Sequence, residues 1–172
     1  LDRDTTGLIV LAKHALSAAV LSQAMRSREI HRTYQAFALG ETAASGTIDA
    51  PIARLNGSLI QRTVDFASGE RSVTHYRTLA HCAVFSHLEL TLETGRTHQI
   101  RVHLSYLGHP VAGDELYGPQ KAIKRLQGQC LHARALGFTH PVTGERLYFE
   151  SQLPEYFTSF LKTLRPKEDL SN

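Results

Sequence analysis

The chain has 172 residues, 42% hydrophobic and 20% charged, with a net charge of +3, which fits one ordinary globular domain with room for a core. No apolar run approaches the ~18 residues of a membrane span and no secretory leader pattern is present, so the sequence points away from a membrane and towards the cytoplasm. Its nineteen cations are fourteen Arg and five Lys, a bias that leans towards a polyanionic partner because Arg suits bidentate phosphate contacts and base stacking.

The segment Leu1-Asp2-Arg3-Asp4-Thr5-Thr6-Gly7 places two acids, an arginine, two hydroxyls and a glycine directly before the apolar run Leu8-Ile9-Val10-Leu11. A start without Met at such a point reads as a cut. Residues 8–12 are predicted as a short buried strand, and residues 15–28 as a helix with Leu16, Val20 and Ala24 on its inward face. Residues 34–39 read as a strand closed by Gly40, 41–46 as a small-residue turn, and 47–52 as another strand. Segments 72–79 and 84–93 are predicted to pair antiparallel, the second alternating Leu88, Leu90 and Leu92 with Glu89, Thr91 and Glu93.

Gly95 breaks that strand, and residues 97–107 are predicted as a helix with Ile100, Leu104 and Leu107 on its apolar side. Its other side carries Thr97, His98, Arg101 and Ser105. A turn-rich stretch at 108–114 and a loop through Tyr117-Gly118-Pro119 follow. Strands at 131–139 and 145–150 flank a turn at 141–144, and a helix over 154–164 precedes a polar tail at 165–172. With no repeat and no linker, one α+β domain dominated by antiparallel strands accounts for residues 1–164. Cys82 and Cys130 lack metal-type spacing and read as reduced, buried thiols.

The second dense cluster is Gly95-Arg96-Thr97-His98-Gln99-Ile100-Arg101. A helix N-terminus offers free N–H groups and a positive dipole end, so Arg96 and Thr97 there suit a phosphate. Arg101, one turn further on, points at whatever the helix covers, and a partly buried arginine needs an anion, either a catalytic carboxylate or a substrate phosphate.

These clusters, with Arg32-Thr33-Tyr34-Gln35-Ala36, Leu92-Glu93-Thr94 running into Gly95, Val102-His103, and Gly108-His109-Pro110-Val111-Ala112-Gly113-Asp114, resemble the ordered motifs of the RluA-type pseudouridine synthases. Val73-Thr74-His75-Tyr76 and Leu131-His132-Ala133 extend the resemblance over nearly the whole chain. It implies an enzyme that isomerises uridine in RNA to pseudouridine, with the family's mixed, largely antiparallel sheet and flanking helices. By position Asp2 matches the family's essential aspartate, Tyr34 its active-site tyrosine, and Arg101 the arginine that pairs with the aspartate. Arg96, Thr97, His98 and Gln99 fall on the substrate side. The wording of the first motif favours large-subunit ribosomal RNA over transfer RNA as substrate. Neither cofactor nor metal is implied, since substrate and product are isomers, and the enzyme is expected to act as a monomer away from membranes. The family carries His-Arg before its Leu-Asp pair, together with N-terminal strands that this chain lacks, so the resemblance implies an N-terminally truncated catalytic domain in which Asp2 is poorly held.

The chemistry suits those residue types. Glycosidic cleavage builds positive character on the sugar, so a carboxylate can attack C1′ or remove the C2′ proton, and an adjacent arginine keeps it ionised. Tyr34 offers a flat face and a hydroxyl near the carbon that loses its proton. Each assignment has a plainer rival: a solvated chain end for Asp2, core packing for Tyr34, and a structural ion pair for Arg101. Asp4 reads as solvated or capping, while the basic run Arg26, Arg28 and Arg32 is either a solvated face or a phosphate contact. His98 and His103 sit about 140° apart on a helix, which converges poorly on one metal ion and disfavours a metallohydrolase. A non-catalytic RNA-binding fragment or degenerate homologue is the rival from another class.

Overall fold

The strands expected from alternation form the centre of the computed structural model, which describes residues 1–119, 126 and 128–164. The expected tail at 165–172 lies outside the described residues. In chain order the elements are β1 (Thr6–Gly7), α1 (Ala15–Arg26), β2 (His31–Leu39), β3 (Ser45–Asp49), β4 (Ile52–Arg54), β5 (Arg62–Val64), β6 (Val73–His81), β7 (Phe85–Leu92), α2 (Gln99–Tyr106), β8 (Leu131–Thr139), β9 (Arg146–Glu150) and α3 (Glu155–Leu164). One seven-stranded sheet runs β1-β8-β2-β7-β6-β3, with β9 also on β8, while β4 and β5 form a separate ribbon. Among the described pairings β1–β8 is parallel and the rest are antiparallel. This is the α+β, largely antiparallel architecture that the patterning implied.

The sheet is covered on both faces. On one, Leu88 and Leu90 of β7 pack with Ala36 and Ala38 of β2 under Ile100 and Leu104 of α2. On the other, Phe37 is fully buried against Phe157 and Phe160 of α3, with ring centroids 4.5 and 4.8 Å away. A third cluster joins Leu21 of α1 to Ile30, Leu136 and Phe138. Period-two alternation places the leucines inward and leaves Glu89 and Thr91 towards solvent, so β7 is positioned by its own sequence.

Four local expectations need correction. The strand expected at 8–12 is instead β1, two residues long. Gly7 adopts φ +105° with its Cα pressed against Ala133, where an added Cβ would fall 2.2 Å from the carbonyl oxygen, and the chain then turns off the sheet. Leu8 and Val10 cover the Leu21–Leu136 cluster while Ile9 and Leu11 face solvent. Helix α1 ends at Arg26 and is rotated one residue from expectation: Ser17 and Leu21 are buried while Leu16 is 71% exposed.

The segment read as one strand at 47–52 divides into β3 and β4 around Pro51, which has no N–H to donate to a ladder. Helix α2 begins at Gln99 instead of 97, because His98 takes a left-handed conformation, φ 59°. Its polar side also faces inward: Gln99, Arg101 and His103 are all buried.

Buried histidines give the fold a pH signature. His87 lies against Phe37 and Phe157, and burial pushes its imidazole down to about 4. Burial lowers His98, His103 and His132 as well. The unfolded chain therefore takes up protons near pH 6.5 that the folded state refuses, so this stability is complete above that pH and lost as pH falls towards 4. Urea unfolding at pH 8 and pH 5 should differ by up to about 2 kcal/mol through His87 alone, and His87→Phe should remove that increment.

Candidate active site

Arg101 is where the two chemically dense segments meet. From the first buried turns of α2 its guanidinium donates Nε and Nη2 to the two oxygens of Asp114, at 2.7 and 2.9 Å, and Nη1 to Asp2 Oδ2 at 2.9 Å. The arginine side chain is 7% exposed, Asp114 fully buried, and Asp2 21% exposed. Burial works against the guanidinium charge, and the hydrogen bonds to Asp114 and then Asp2 more than reverse this, raising its pKa above the usual arginine range. The fork is a fixed cation that presents one carboxylate towards solvent.

Asp114 was not among the expected site residues. It also accepts the backbone N–H groups of Leu116 and Tyr117, at 2.9 and 3.1 Å, and so shapes the loop that carries Tyr117. The Tyr117 ring lies under the guanidinium, 5.0 Å from centroid to Cζ, and its hydroxyl is 2.7 Å from His98 Nδ1. An acid directly after Val111-Ala112-Gly113 was the available signal, since a carboxylate in an apolar stretch requires a buried partner.

Asp2 is tied in from the β8 side. Its carbonyl accepts Thr5 N–H at 3.1 Å, Gln129 Nε2 donates to Thr5 Oγ1 at 2.8 Å, and Thr6 Oγ1 lies 2.8 Å from His132 Nδ1. These contacts and the β1–β8 pairing fix the segment from the β8 side. Asp4 points elsewhere, into an exposed pair with Arg3, whose hydrogen bond lowers its pKa.

Asp2, Tyr34 and Arg101 border one cavity of about 340 Å³, together with Arg32, Arg96 and Thr97, a size within the usual range of ligand sites, about 300–1,000 Å³. Tyr34 sits in β2 beside Leu90 of β7 and Ala133 of β8, next to a register shift after Thr33 of the kind that re-aims a side chain. Burial raises its pKa, with the nearby Arg32 opposing and Asp2 adding to the shift.

The remaining expected residues divide. Arg96 and Thr97 are exposed on the cavity rim, and Arg96 Nη1 is paired with Glu70. Gln99 is buried and engaged at both ends: its Oε1 accepts from Thr94 Oγ1 and Arg96 N–H, and its Nε2 donates to Val73 O and Thr74 Oγ1. It ties the start of α2 to β6. His98, half-buried, keeps a lowered pKa through burial, and its left-handed backbone, worth roughly 1–2 kcal/mol of strain, is held by the Tyr117 contact.

A family model described as RNA pseudouridylate synthase matches residues 1–106. The chain belongs to the RNA pseudouridylate synthase family. The Bacillus subtilis protein YjbO, described as an uncharacterized RNA pseudouridine synthase, is 43% identical over 163 residues, covering 94% of this chain and 56% of its own length. Ribosomal large subunit pseudouridine synthase D of Pseudomonas aeruginosa is 41% identical over 177 residues, 96% of this chain and 55% of that protein. The chain thus spans little more than half the length of these relatives. Among solved structures, human RNA pseudouridylate synthase domain containing 4 superposes with a TM-score of 0.77 at 28% identity, covering 96% of this chain and 74% of that one. Human domain containing 1 gives 0.75 at 26% identity, covering 96% and 78%.

The two carboxylates on Arg101 should differ sharply in structural weight. Asp114→Asn leaves a buried guanidinium under-neutralised and should cost about 3–5 kcal/mol in urea unfolding, whereas Asp2→Asn should cost under about 1 kcal/mol.

Proposed function

We propose that this protein isomerises specific uridines in structured RNA to pseudouridine, with residues 1–164 as the catalytic domain. The observation that carries the reading is the Asp2 carboxylate held by Arg101 at 2.9 Å and bordering a cavity shared with Tyr34. Asp2 acts at the sugar, as nucleophile on C1′ or as the base that takes the C2′ proton, and the Arg101 guanidinium holds the carboxylate in place for either role. Cleavage frees the uracil, which turns and rejoins the ribose through C5, and Tyr34 stacks on the base with its hydroxyl near the proton that C5 then loses. Atoms are conserved from substrate to product, so no cofactor enters the scheme.

A uridine reaches such a cavity only after leaving its stack, which costs a few kcal/mol that contacts to flanking nucleotides offset. Arg96 and Thr97 stand at the rim where the backbone passes, while His98 and Gln99 fix the loop that carries them. Similarity to the large-subunit synthases favours 23S ribosomal RNA, with transfer RNA as the alternative. No described helix is long and apolar enough to cross a membrane, and a cytoplasmic, monomeric enzyme fits an RNA substrate.

The test is to incubate the protein, expressed from its complete reading frame, with ribosomal and transfer RNA from cells lacking it and to map pseudouridine chemically. At least one large-subunit uridine should depend on the protein. Asp2→Asn should lower the single-turnover rate at least roughly 10²-fold, with Asp4→Asn near wild type. No protein-dependent site would leave an RNA-binding role without turnover, and a loss confined to Asp4→Asn would move the reaction to the other carboxylate.

A further inference from the structure

Three arginines line the cavity, Arg32, Arg96 and Arg101, and their charges are not equivalently committed. Arg101 is neutralised by Asp114 and Asp2, and Arg96 by Glu70. Arg32, on β2 two residues before Tyr34, has no carboxylate partner among the described residues. Its Nε is shielded from solvent yet makes no hydrogen bond, which leaves a buried donor of a charged group unmet. The recorded polar neighbour of its guanidinium is the Tyr34 hydroxyl, an uncharged group.

The surroundings reserve space for this cation. Gly95, at the turn between β7 and α2, comes so close that an added Cβ would stand 2.9 Å from Arg32 Nη1 and 3.1 Å from Nη2. Any side chain at 95 would push the guanidinium from its place. Arg32 therefore sits between the loop that begins α2 and the tyrosine, on the cavity wall, with donors in a planar fork that matches phosphate.

Resting on the reading of this cavity as the uridine site, we propose that Arg32 binds a backbone phosphate of the RNA next to the target nucleotide. The other rim cation, Arg96, must first give up Glu70 to do so, whereas Arg32 is free of a competing carboxylate. Held between Gly95 and Tyr34, a phosphate on Arg32 fixes the sugar of the target uridine relative to Asp2, so its binding energy serves positioning as well as affinity.

The experiment compares wild type, Arg32→Met and Arg32→Lys, expressed from the complete reading frame, on a substrate RNA and on the same RNA carrying single neutral methylphosphonates around the target uridine. Arg32→Met should weaken RNA binding roughly tenfold or more. It should also lower the slope of log Kd against log salt by about 0.7 for a single-stranded contact. Arg32→Lys, which keeps the charge, should recover most of that slope. One methylphosphonate position should reproduce the loss in wild type and add nothing in Arg32→Met. An unchanged salt slope, or additive losses at every position, would overturn the phosphate contact. So would a fall in kcat with KM and slope intact, which would make Arg32 a support for Tyr34 alone. The methylphosphonate scan on wild type needs no variant to fold. Absence of any pseudouridine from wild type would refute the functional reading separately from these binding results.

Discussion

The Arg101 guanidinium, shared between a fully buried Asp114 and a largely buried Asp2, is the interaction on which the site depends. Removing such a cation from water costs several kcal/mol, which only closely placed, well-directed partners offset. Asp114 supplies two of the bonds and at the same time accepts the N–H groups of Leu116 and Tyr117. That fixes Tyr117, whose ring lies under the cation and whose hydroxyl meets His98 at the entrance to α2. The contacts close a circuit: the helix positions Arg101, Arg101 orders the carboxylates, and one carboxylate orders the loop that holds the start of the helix. Asp2, His98 and Arg101 are the members of this circuit that also border the cavity.

Around the circuit, the sheet acts as a rigid bench. Leu88 and Leu90 bind α2 to the strands through apolar packing, and Gln99 adds four hydrogen bonds that pin the first turn of α2 to β6 and the preceding loop. Tyr34 and Arg32 come from the central strand β2, flanked on both sides by β7 and β8. The flanking strands leave these side chains little freedom, so the cavity wall is set by strand register. Gly95 contributes by absence, leaving room for a guanidinium where any other residue would intrude.

The strands that alternate cleanly were readable before any coordinates: β7 and β8 appear where Leu88, Leu90 and the 131–139 segment indicated, and β6 pairs with β7 as expected. Elements governed by a single backbone event were not. Gly7 turns an apolar run off the sheet, Pro51 divides a strand, and the left-handed His98 shortens a helix; periodicity carries none of these. The face of α1 was misread because Leu16 and Val20 form a more apolar row than Ser17 and Leu21, and tertiary packing overrides that pattern. Motif resemblance singled out Asp2 and Arg101, ninety-nine positions apart, and Tyr34. It did not single out Asp114, since an acid in an apolar stretch signals a buried partner without saying which one, nor Arg32 by itself, which was left with Arg26 and Arg28 as either a solvated face or a phosphate contact.

The two-residue pairing of β1 has a kinetic meaning. Among the described residues Asp2 is held by this short parallel ladder and a few side-chain bonds, whereas the sheet beneath it is held by long antiparallel ladders and two apolar layers. Segments with so few attachments open at a fraction of the global unfolding free energy. A contact spanning ninety-nine residues also carries a large loop-closure cost and belongs with the later events of folding. Persistence of the sheet and persistence of the carboxylate in its place are thus separate quantities, set by different contacts.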